Sequence, residues 1–152
     1  MKRHEQSVDS KYDSICLENQ ICFPLYACAK EVVRNYREPL SDLGLTYTQY
    51  IVMMILWEHG GMSEGELGKK VHLDSGTLAP LLKRLEKHGY IKRIRLKNNE
   101  RKLMLELTSK GEALREEALK IPERMKGCIP LSNDELVELK ALLKKALGNM
   151  EQ

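Results

Sequence analysis

The sequence lacks any apolar run that approaches the ~18 to 20 residues needed to cross a bilayer. Its first residues, Met1–Gln6, lead into further polar residues and not into the apolar stretch of a signal peptide. These absences predict a soluble, cytoplasmic protein with no membrane partner. With 152 residues, of which 42% are hydrophobic and 31% charged, the chain has the size and composition of one globular domain and not of a disordered segment.

Motifs that would indicate an enzyme or a metal site are also missing. There is no glycine-rich phosphate-binding loop, no H-E-x-x-H and no G-x-S-x-G. The histidines are scattered, at His4, His59, His72 and His88. We therefore expect no catalytic residues, no cofactor and no metal site.

Cysteine is scarce and occurs only as Cys16, Cys22, Cys28 and Cys128, without a C-x-x-C motif. Four cysteines are too few for a disulfide scaffold in a chain that can bury its own core. Any special role of these residues would therefore lie in redox chemistry.

The net charge of +3 conceals an uneven distribution of charge along the chain. Between Lys69 and Lys102 there are eleven Lys or Arg residues against three acidic residues, a net charge of +8 that leaves −5 for the rest. We call this stretch the basic unit. A polyanion such as nucleic acid is its natural partner.

Apolar residues recur every three to four positions in six segments, which predicts six helices. Residues 1–15 lack this periodicity and predict a mobile arm. The first helix runs from Leu17 to Tyr36 and ends before Pro39. Because a proline such as Pro24 is tolerated in a first turn but not inside a helix, either the regular part starts near Phe23 or the segment bends there. The others are predicted at Tyr47–His59, at Glu64–Val71, from Asp74 or Ser75 to about His88, from Thr108 or Ser109 to between Pro122 and Pro130, and after a capping box at Ser132.

Two segments alternate apolar and polar residues and predict a β-hairpin, Tyr90–Leu96 with Lys102–Leu107. The turn-prone residues 97–100 between them form its charged tip. A short helix, a turn, a polar-faced helix and a hairpin with a basic tip follow each other in the order of a winged helix-turn-helix. The predicted fold class is mainly α with a small β-hairpin.

The fourth predicted helix has an apolar face and a basic polar face, so it can enter the major groove of double-stranded DNA. The residues predicted to contact DNA are Ser75, Thr77, Pro80, Lys83 and Arg84 on this helix, and Lys97 and Arg101 at the hairpin tip. A solvated face on an ordinary helix is the alternative. The net charge of +8 over the whole unit favours DNA binding.

Four blocks of the sequence resemble the organic-hydroperoxide-sensing branch of the MarR family. They are LENQICF at residues 17–23, LTYxQY at 45–50, LWE at 56–58 and LDSGTLxPLLKRLE at 73–86. The resemblance extends from about residue 17 to 147. It implies a homodimeric repressor that binds a palindromic operator when reduced, and releases it when a cysteine near its N-terminus is oxidised by an organic hydroperoxide.

The resemblance also implies how the chain is divided. Residues 46–108 would form the winged helix-turn-helix, and residues 16–45 and 109–152 a helical dimerisation region. Apolar faces on the first, fifth and sixth predicted helices agree with this, because the small winged-helix core cannot cover them alone. Two recognition helices would then meet successive major grooves about one DNA turn apart.

Cys22 matches the sensor cysteine of this branch. A thiol at a helix N-terminus gains thiolate character from the unpaired amide groups, and the thiolate attacks a peroxide to give sulfenic acid. Tyr36 and Tyr47 match tyrosines whose hydroxyls reach the sensor across the dimer, with core packing as the alternative role. Cys128 matches the resolving cysteine of two-cysteine members, which forms a disulfide with the oxidised sensor. The alternative is that Cys128 has a structural role and that a small thiol reacts with the oxidised Cys22.

Cys16 and Cys28 lie six residues before and after Cys22. On a helix, six residues correspond to a rotation of about 240°, so neither should share the face of Cys22, and both are interpreted as incidental. Cys28 is expected in the core. The sequence departs from the wider family at Asn99, which stands where an aspartate usually precedes the wing arginine by two residues, so the orientation of Arg101 is less constrained.

Two other functions stay open at this level. One is a MarR-type regulator released by a small phenolic ligand or a metal in the dimer cleft, which cysteine-independent release from DNA would favour. The other is a thiol peroxidase, which would consume many equivalents of peroxide per subunit.

Overall fold

The computed structural model describes the backbone of residues 10–96 and 99–150, and the side chains of residues 11–95 and 103–150. In this part of the chain, two short 3₁₀ helices, Ser10–Ile15 and Leu17–Asn19, precede the α-helices and strands. The helices are α1 (Cys22–Asn35), α2 (Arg37–Ser41), α3 (Tyr47–His59), α4 (Glu64–Val71), α5 (Ser75–Lys87), α6 (Ser109–Ala118), α7 (Lys120–Arg124) and α8 (Asn133–Met150). The strands are β1 (Met62–Ser63), β2 (Ile91–Leu96) and β3 (Asn99–Leu107). Lys97, the side chain of Arg101 and residues 1–9 of the predicted arm lie outside the described residues.

Side-chain caps determine where five of the helices begin. Three of these caps are capping boxes, in which the hydroxyl of the cap residue accepts from the backbone N–H three residues further on. The Gln or Glu side chain at that position accepts in turn from the backbone N–H of the cap residue, which is Thr46, Ser63 or Ser132. Asp74 caps α5 by accepting from the Thr77 N–H, and Thr108 caps α6. These caps confirm the predicted helix starts.

The N-terminal segment agrees with its prediction in part. Regular helix begins at Cys22, one residue before the predicted start near Phe23, but residues 10–15, predicted as part of a mobile arm, form a 3₁₀ helix. α1 ends at Asn35, before Pro39 as predicted, and a separate helix that was not predicted, α2, contains Pro39. Pro39 is the third residue of α2, where its missing N–H would have no partner within the helix in any case.

α3 is the central helix of the core. Its Tyr50, Val52, Met53 and Leu56 are buried, and it packs against α2, α4, α5, α6 and β3. The apolar circumference of this segment predicted that position. The other fully buried side chains come from α2, α4, α5, β2 and β3: Leu40, Leu67, Leu78, Leu82, Leu85, Ile91 and Leu105.

The sheet is antiparallel, with strand order β1–β3–β2. β2 and β3 are the predicted hairpin, with Ile91 opposite Leu107 and Arg93 opposite Leu105. β3 begins at Asn99, three residues earlier than predicted. β1 was not predicted, because two residues are too few to show alternation; it pairs Met62 with Leu105.

The predicted fifth helix is divided at Leu119 into α6 and α7. Its apolar residues Leu114, Ala118, Ile121 and Met125 are buried in the core of the chain. The expectation that this face is left uncovered was therefore wrong, because α6 packs on α3 and β3 and α7 packs on α2.

The apolar faces of α1 and α8, by contrast, are uncovered. Neither helix has a buried residue. Their exposed large apolar side chains are Phe23, Leu25, Tyr26 and Val33 on α1 and Val137, Leu142, Leu143, Leu147 and Met150 on α8. Within the ranges that the structure describes, neither these nor any other helix is both long and apolar enough to span a membrane.

α6 is joined to α3 and to the base of the hairpin by hydrogen bonds, and its backbone lies close to the start of β2. The indole Nε1 of Trp57 donates to the Gly111 carbonyl at 2.9 Å, and Thr108 Oγ1 donates to the Gly89 carbonyl at 2.6 Å. A Cβ placed on Gly111 would lie 2.0 Å from the carbonyl oxygen of Tyr90. Only glycine therefore allows α6 to sit this close to the start of β2.

We expect Gly111→Ala to lower the free energy of unfolding by about 1 to 3 kcal/mol, because the clash with the Tyr90 backbone outweighs the better helix propensity of alanine. The matched control is Gly65→Ala in α4, where a Cβ would meet no atom within 4 Å. Urea unfolding followed by circular dichroism measures both variants. Equal stability of the two variants would contradict the close contact.

Candidate redox site and nucleic-acid interface

Cys22 is the first residue of α1, and its side chain is exposed. The first turn of a helix leaves backbone N–H groups without partners inside the helix, so the thiol sits beside the positive end of the helix dipole. The structure thus places Cys22 at a helix N-terminus, as the sequence predicted. All four cysteines are free thiols.

Tyr36 and Tyr47 lie together at the other end of α1. Their ring centroids are 4.7 Å apart, and Tyr50 follows at 6.1 Å from Tyr36. Cys128 also packs against the core, and it is near enough to both Tyr36 and Tyr47 to raise their pKa values. We call Tyr36, Tyr47 and Cys128 the tyrosine–thiol cluster.

Burial in this cluster changes the ionisation of the phenols. Desolvation raises the pKa of Tyr36, and the nearby Tyr47, Tyr50 and Cys128 raise it further. Desolvation also raises the pKa of Tyr47, with Cys128 as the second cause. Both phenols are thus neutral hydrogen-bond donors at physiological pH.

The length of α1 separates Cys22 from this cluster. The helix has 14 residues, and at 1.5 Å per residue it spans about 21 Å. Cys22 opens the helix and Tyr36 is its C-cap. A side chain of the same chain therefore cannot bring a tyrosine hydroxyl to the Cys22 sulfur.

The other two cysteines are placed differently from the prediction. Cys28 is exposed on α1, so its expected place in the core was wrong, because no residue of α1 is buried in the chain. Cys16 precedes α1, so a rotation angle along a regular helix does not apply to it. Its Sγ donates to the Tyr12 carbonyl at 3.5 Å, and it lines an open pocket with Leu17, Glu18 and Phe23.

The second candidate surface is the polar face of α5. Leu78, Leu82 and Leu85 point into the core, and the five residues predicted to contact DNA are all exposed. These are Ser75, Thr77, Pro80, Lys83 and Arg84. The structure therefore brings them together on one open face, whereas the predicted wing contacts Lys97 and Arg101 fall outside the described side chains.

The helix cap limits what Thr77 can bind. Its hydroxyl donates to Asp74 Oδ2 at 2.8 Å and its backbone N–H donates to Oδ1 at 2.9 Å. These hydrogen bonds lower the pKa of Asp74. Because its only hydroxyl proton is used in the cap, Thr77 can accept from a base amino group but cannot donate to a phosphate while the cap is intact.

One pair of residues in the basic unit was missed. Arg93 Nε lies 2.8 Å from Glu86 Oε2, which joins β2 to α5. The sequence analysis treated Arg93 as one of eleven cations. The signal that could have distinguished it is the alternation in β2, which places Arg93 on the same face as the buried Ile91.

Among the described residues, no three His, Cys, Asp or Glu side chains are grouped so that they could hold a metal ion.

Comparison with known proteins agrees with this geometry. The model of the MarR family matches residues 45–103, which cover α3 to β3. The organic hydroperoxide resistance transcriptional regulator of Bacillus subtilis is 39% identical over 145 residues, which are 95% of this chain and 99% of that protein.

The chain belongs to the MarR family. Among solved structures, reduced AbfR bound to DNA has a TM-score of 0.79 at 31% identity and covers 93% of this chain and 96% of its own. AbfR is a protein of Staphylococcus epidermidis. Its disulfide form is also similar, with a TM-score of 0.60 at 32% identity over 93% of this chain and 94% of its own.

These findings confirm the predicted family and the winged-helix fold. They also confirm the predicted class, a redox-responsive DNA-binding transcriptional repressor and not an enzyme. The roles of individual residues and the division into dimerisation and DNA-binding regions stay predictions.

The raised phenol pKa values predict how stability depends on alkaline pH. The unfolded chain loses its phenol protons near pH 10, before the folded chain does, so the stabilisation is complete below pH 10 and is lost as the pH rises through the folded pKa values. We expect the urea-unfolding free energy of Tyr47→Phe to fall less between about pH 9 and 11 than that of the wild type. Tyr12→Phe removes an exposed phenol and should follow the wild type. A Tyr47→Phe variant that loses as much stability as the wild type would contradict the assignment.

Proposed function

We propose that this chain is a redox-responsive repressor in which Cys22 of one copy reacts with an organic hydroperoxide and then with Cys128 of a second copy. The observation that carries the proposal is the separation of Cys22 from the tyrosine–thiol cluster. The two sites contain complementary groups, a thiol at a helix N-terminus and a resolving thiol with two hydrogen-bond donors. They stand at opposite ends of a 14-residue helix.

A disulfide within one chain is excluded by this geometry. Two cysteines can be joined only when their Cα atoms lie within about 7 Å. Cys128 is near enough to Tyr36 to raise its pKa, and Tyr36 is separated from Cys22 by the length of α1, about 21 Å. A bond between these two thiols therefore requires two chains.

The uncovered faces of α1 and α8 support a homodimer that brings the sites together. These helices come from the two ends of the chain, and their apolar side chains have no partner in the core of the described chain. A two-fold interface buries the same surface on both copies. If α1 crosses the partner antiparallel, Cys22 of one copy meets the cluster of the other at two equivalent places.

The chemistry balances with the hydroperoxide as the oxidant. The Cys22 thiolate attacks the terminal oxygen of ROOH, the O–O bond breaks, and the products are the Cys22 sulfenic acid and an alcohol ROH after protonation. The Cys128 thiol of the other copy then attacks the sulfenic sulfur, an S–S bond forms and water leaves. Tyr36 and Tyr47 donate hydrogen bonds to the charged sulfur before the first step.

The reduced dimer binds double-stranded DNA through the basic unit. α5 presents an exposed basic face, and the unit carries a net charge of +8. In a winged helix such a helix enters the major groove, and a dimer places two of them on the half-sites of a palindrome. That reduced AbfR is bound to DNA in a structure similar to this one supports the assignment.

The packing of α3 provides the connection between oxidation and DNA release. α3 begins at Tyr47, contains Tyr50 in the ring cluster and packs against α5. A disulfide that draws Cys22 of the other copy into the cluster displaces Tyr47 and with it the helix that supports α5. The lower similarity to the disulfide form of AbfR than to its reduced form is in keeping with such a change.

The thiol chemistry is tested with cumene hydroperoxide and non-reducing gels. The wild type should form a covalent dimer that dithiothreitol reverses, and both Cys22→Ser and Cys128→Ser should remain monomeric on the gel. Cys28→Ser, which removes another exposed thiol of α1, is the matched control and should behave as the wild type. A covalent dimer in Cys128→Ser would move the resolving role to Cys16 or Cys28.

DNA binding is tested on a duplex that the reduced wild type selects from a random-sequence pool. Arg84→Ala should weaken binding by about 1 to 3 kcal/mol. Lys144→Ala removes an exposed cation of α8 and should leave affinity unchanged. Hydroperoxide should release the duplex from the wild type but not from Cys22→Ser; release from both would favour a regulator controlled by a ligand in the dimer cleft.

A further inference from the structure

We propose that Glu86 and Arg93 are positioning residues that hold the recognition helix α5 and the hairpin at a fixed angle, and that Arg93 is not a DNA contact. The proposal rests on the proposed DNA-binding function. It concerns a role that the family resemblance does not assign to either residue. Its basis is an ion pair between the two elements of the basic unit.

The contact between the two residues has two points. The guanidinium Nε of Arg93 lies 2.8 Å from Glu86 Oε2, and the Arg93 backbone N–H donates to Glu86 Oε1 at 3.2 Å. A carboxylate held by both a side chain and a backbone group of the same residue is fixed in orientation. The carboxylate belongs to α5 and the donors belong to β2, so the pair restrains rotation of one element against the other.

The strand register explains why Arg93 is turned toward the helix. Arg93 pairs with Leu105, which is fully buried, and lies two residues after the buried Ile91. Successive side chains in a strand point to opposite faces, so Arg93 is on the inner face and Lys92 on the outer one. The Arg93 side chain is 21% exposed and that of Glu86 is 38% exposed.

The position of Glu86 on α5 fits the same role. It follows the buried Leu85 and lies one turn after the buried Leu82, at the border of the core face. The cations of the exposed face, Lys83, Arg84 and Lys87, belong to the open surface instead. An exposed ion pair contributes little to stability. The contact between Glu86 and Arg93 is only partly exposed and has two points, so it can fix the angle between α5 and β2.

Removing the charge of Glu86 tests the proposal, because two explanations predict opposite changes in DNA affinity. If Glu86 only contributes negative charge near DNA, Glu86→Gln removes repulsion from phosphate and should tighten binding to every duplex. If Glu86 positions α5, the same variant should bind the selected duplex about tenfold more weakly and leave binding to a scrambled duplex unchanged or tighter. Arg93→Gln should also weaken binding to the selected duplex about tenfold, and it should leave the slope of log affinity against log salt unchanged.

The experiment measures affinity at several salt concentrations for Glu86→Gln, Arg93→Gln and the double variant. Lys83→Gln is the matched control for a phosphate contact and should reduce the slope by about 1. In the double variant the second substitution should add less than about twofold, because the pair is already broken. Thermal unfolding of each variant confirms that it is folded.

Each outcome bears on one of the two proposals. A slope for Arg93→Gln that falls as it does for Lys83→Gln, or a Glu86→Gln variant that binds the selected duplex as well as the wild type or better, would overturn the positioning role. Additive losses in the double variant would also overturn it. A wild type that enriches no duplex from the pool would instead refute the proposed function, so the two failures are distinguishable.

Discussion

Burial of α3 on nearly all sides is the constraint on which the rest of the fold depends. A helix that is apolar around most of its circumference is stable only when other elements cover it. α2, α4, α5, α6 and β3 do so here, and each contributes its own buried side chains to the same core. The polar face of α5 is open to solvent because its opposite face is used to cover α3.

The burial of α3 also determines which helices lie outside the core. Once α3 is covered by these five elements, α1 and α8 have no buried residue, although both carry large apolar side chains. Cys22, the proposed sensor, is the first residue of α1, and the tyrosine–thiol cluster packs against the core. In the proposed dimer, the exposed apolar surface and the two thiols that react with each other are thus parts of one arrangement.

Features that depend on near neighbours along the chain could be predicted from the sequence. A cap and the N–H it accepts from are three residues apart, so Thr46, Ser63 and Asp74 identified their helices without any knowledge of the fold. Cys22 could be placed at a helix start for the same reason, since Pro24 is tolerated only in a first turn.

Features that depend on distant contacts could not be predicted. β1 exists because Leu105, far along the chain, pairs with Met62. Periodicity placed Cys28 on a helix but did not reveal that its face meets no core. The face that α6 buries is likewise decided by α3 and β3. In the basic unit, the sequence showed Arg93 only as one of eleven cations, and the fold brings Glu86 to it.

The joint between α3 and α6 has a practical consequence. Trp57 is the one tryptophan in the sequence, and it lies 6.4 Å from the Tyr50 ring while its indole N–H donates to the Gly111 carbonyl. It therefore sits between the ring cluster around Tyr36 and the backbone that contacts the base of the hairpin. The chain thus carries its own optical reporter: its intrinsic indole emission comes from a single position, at the place where a movement of α3 would reach the hairpin.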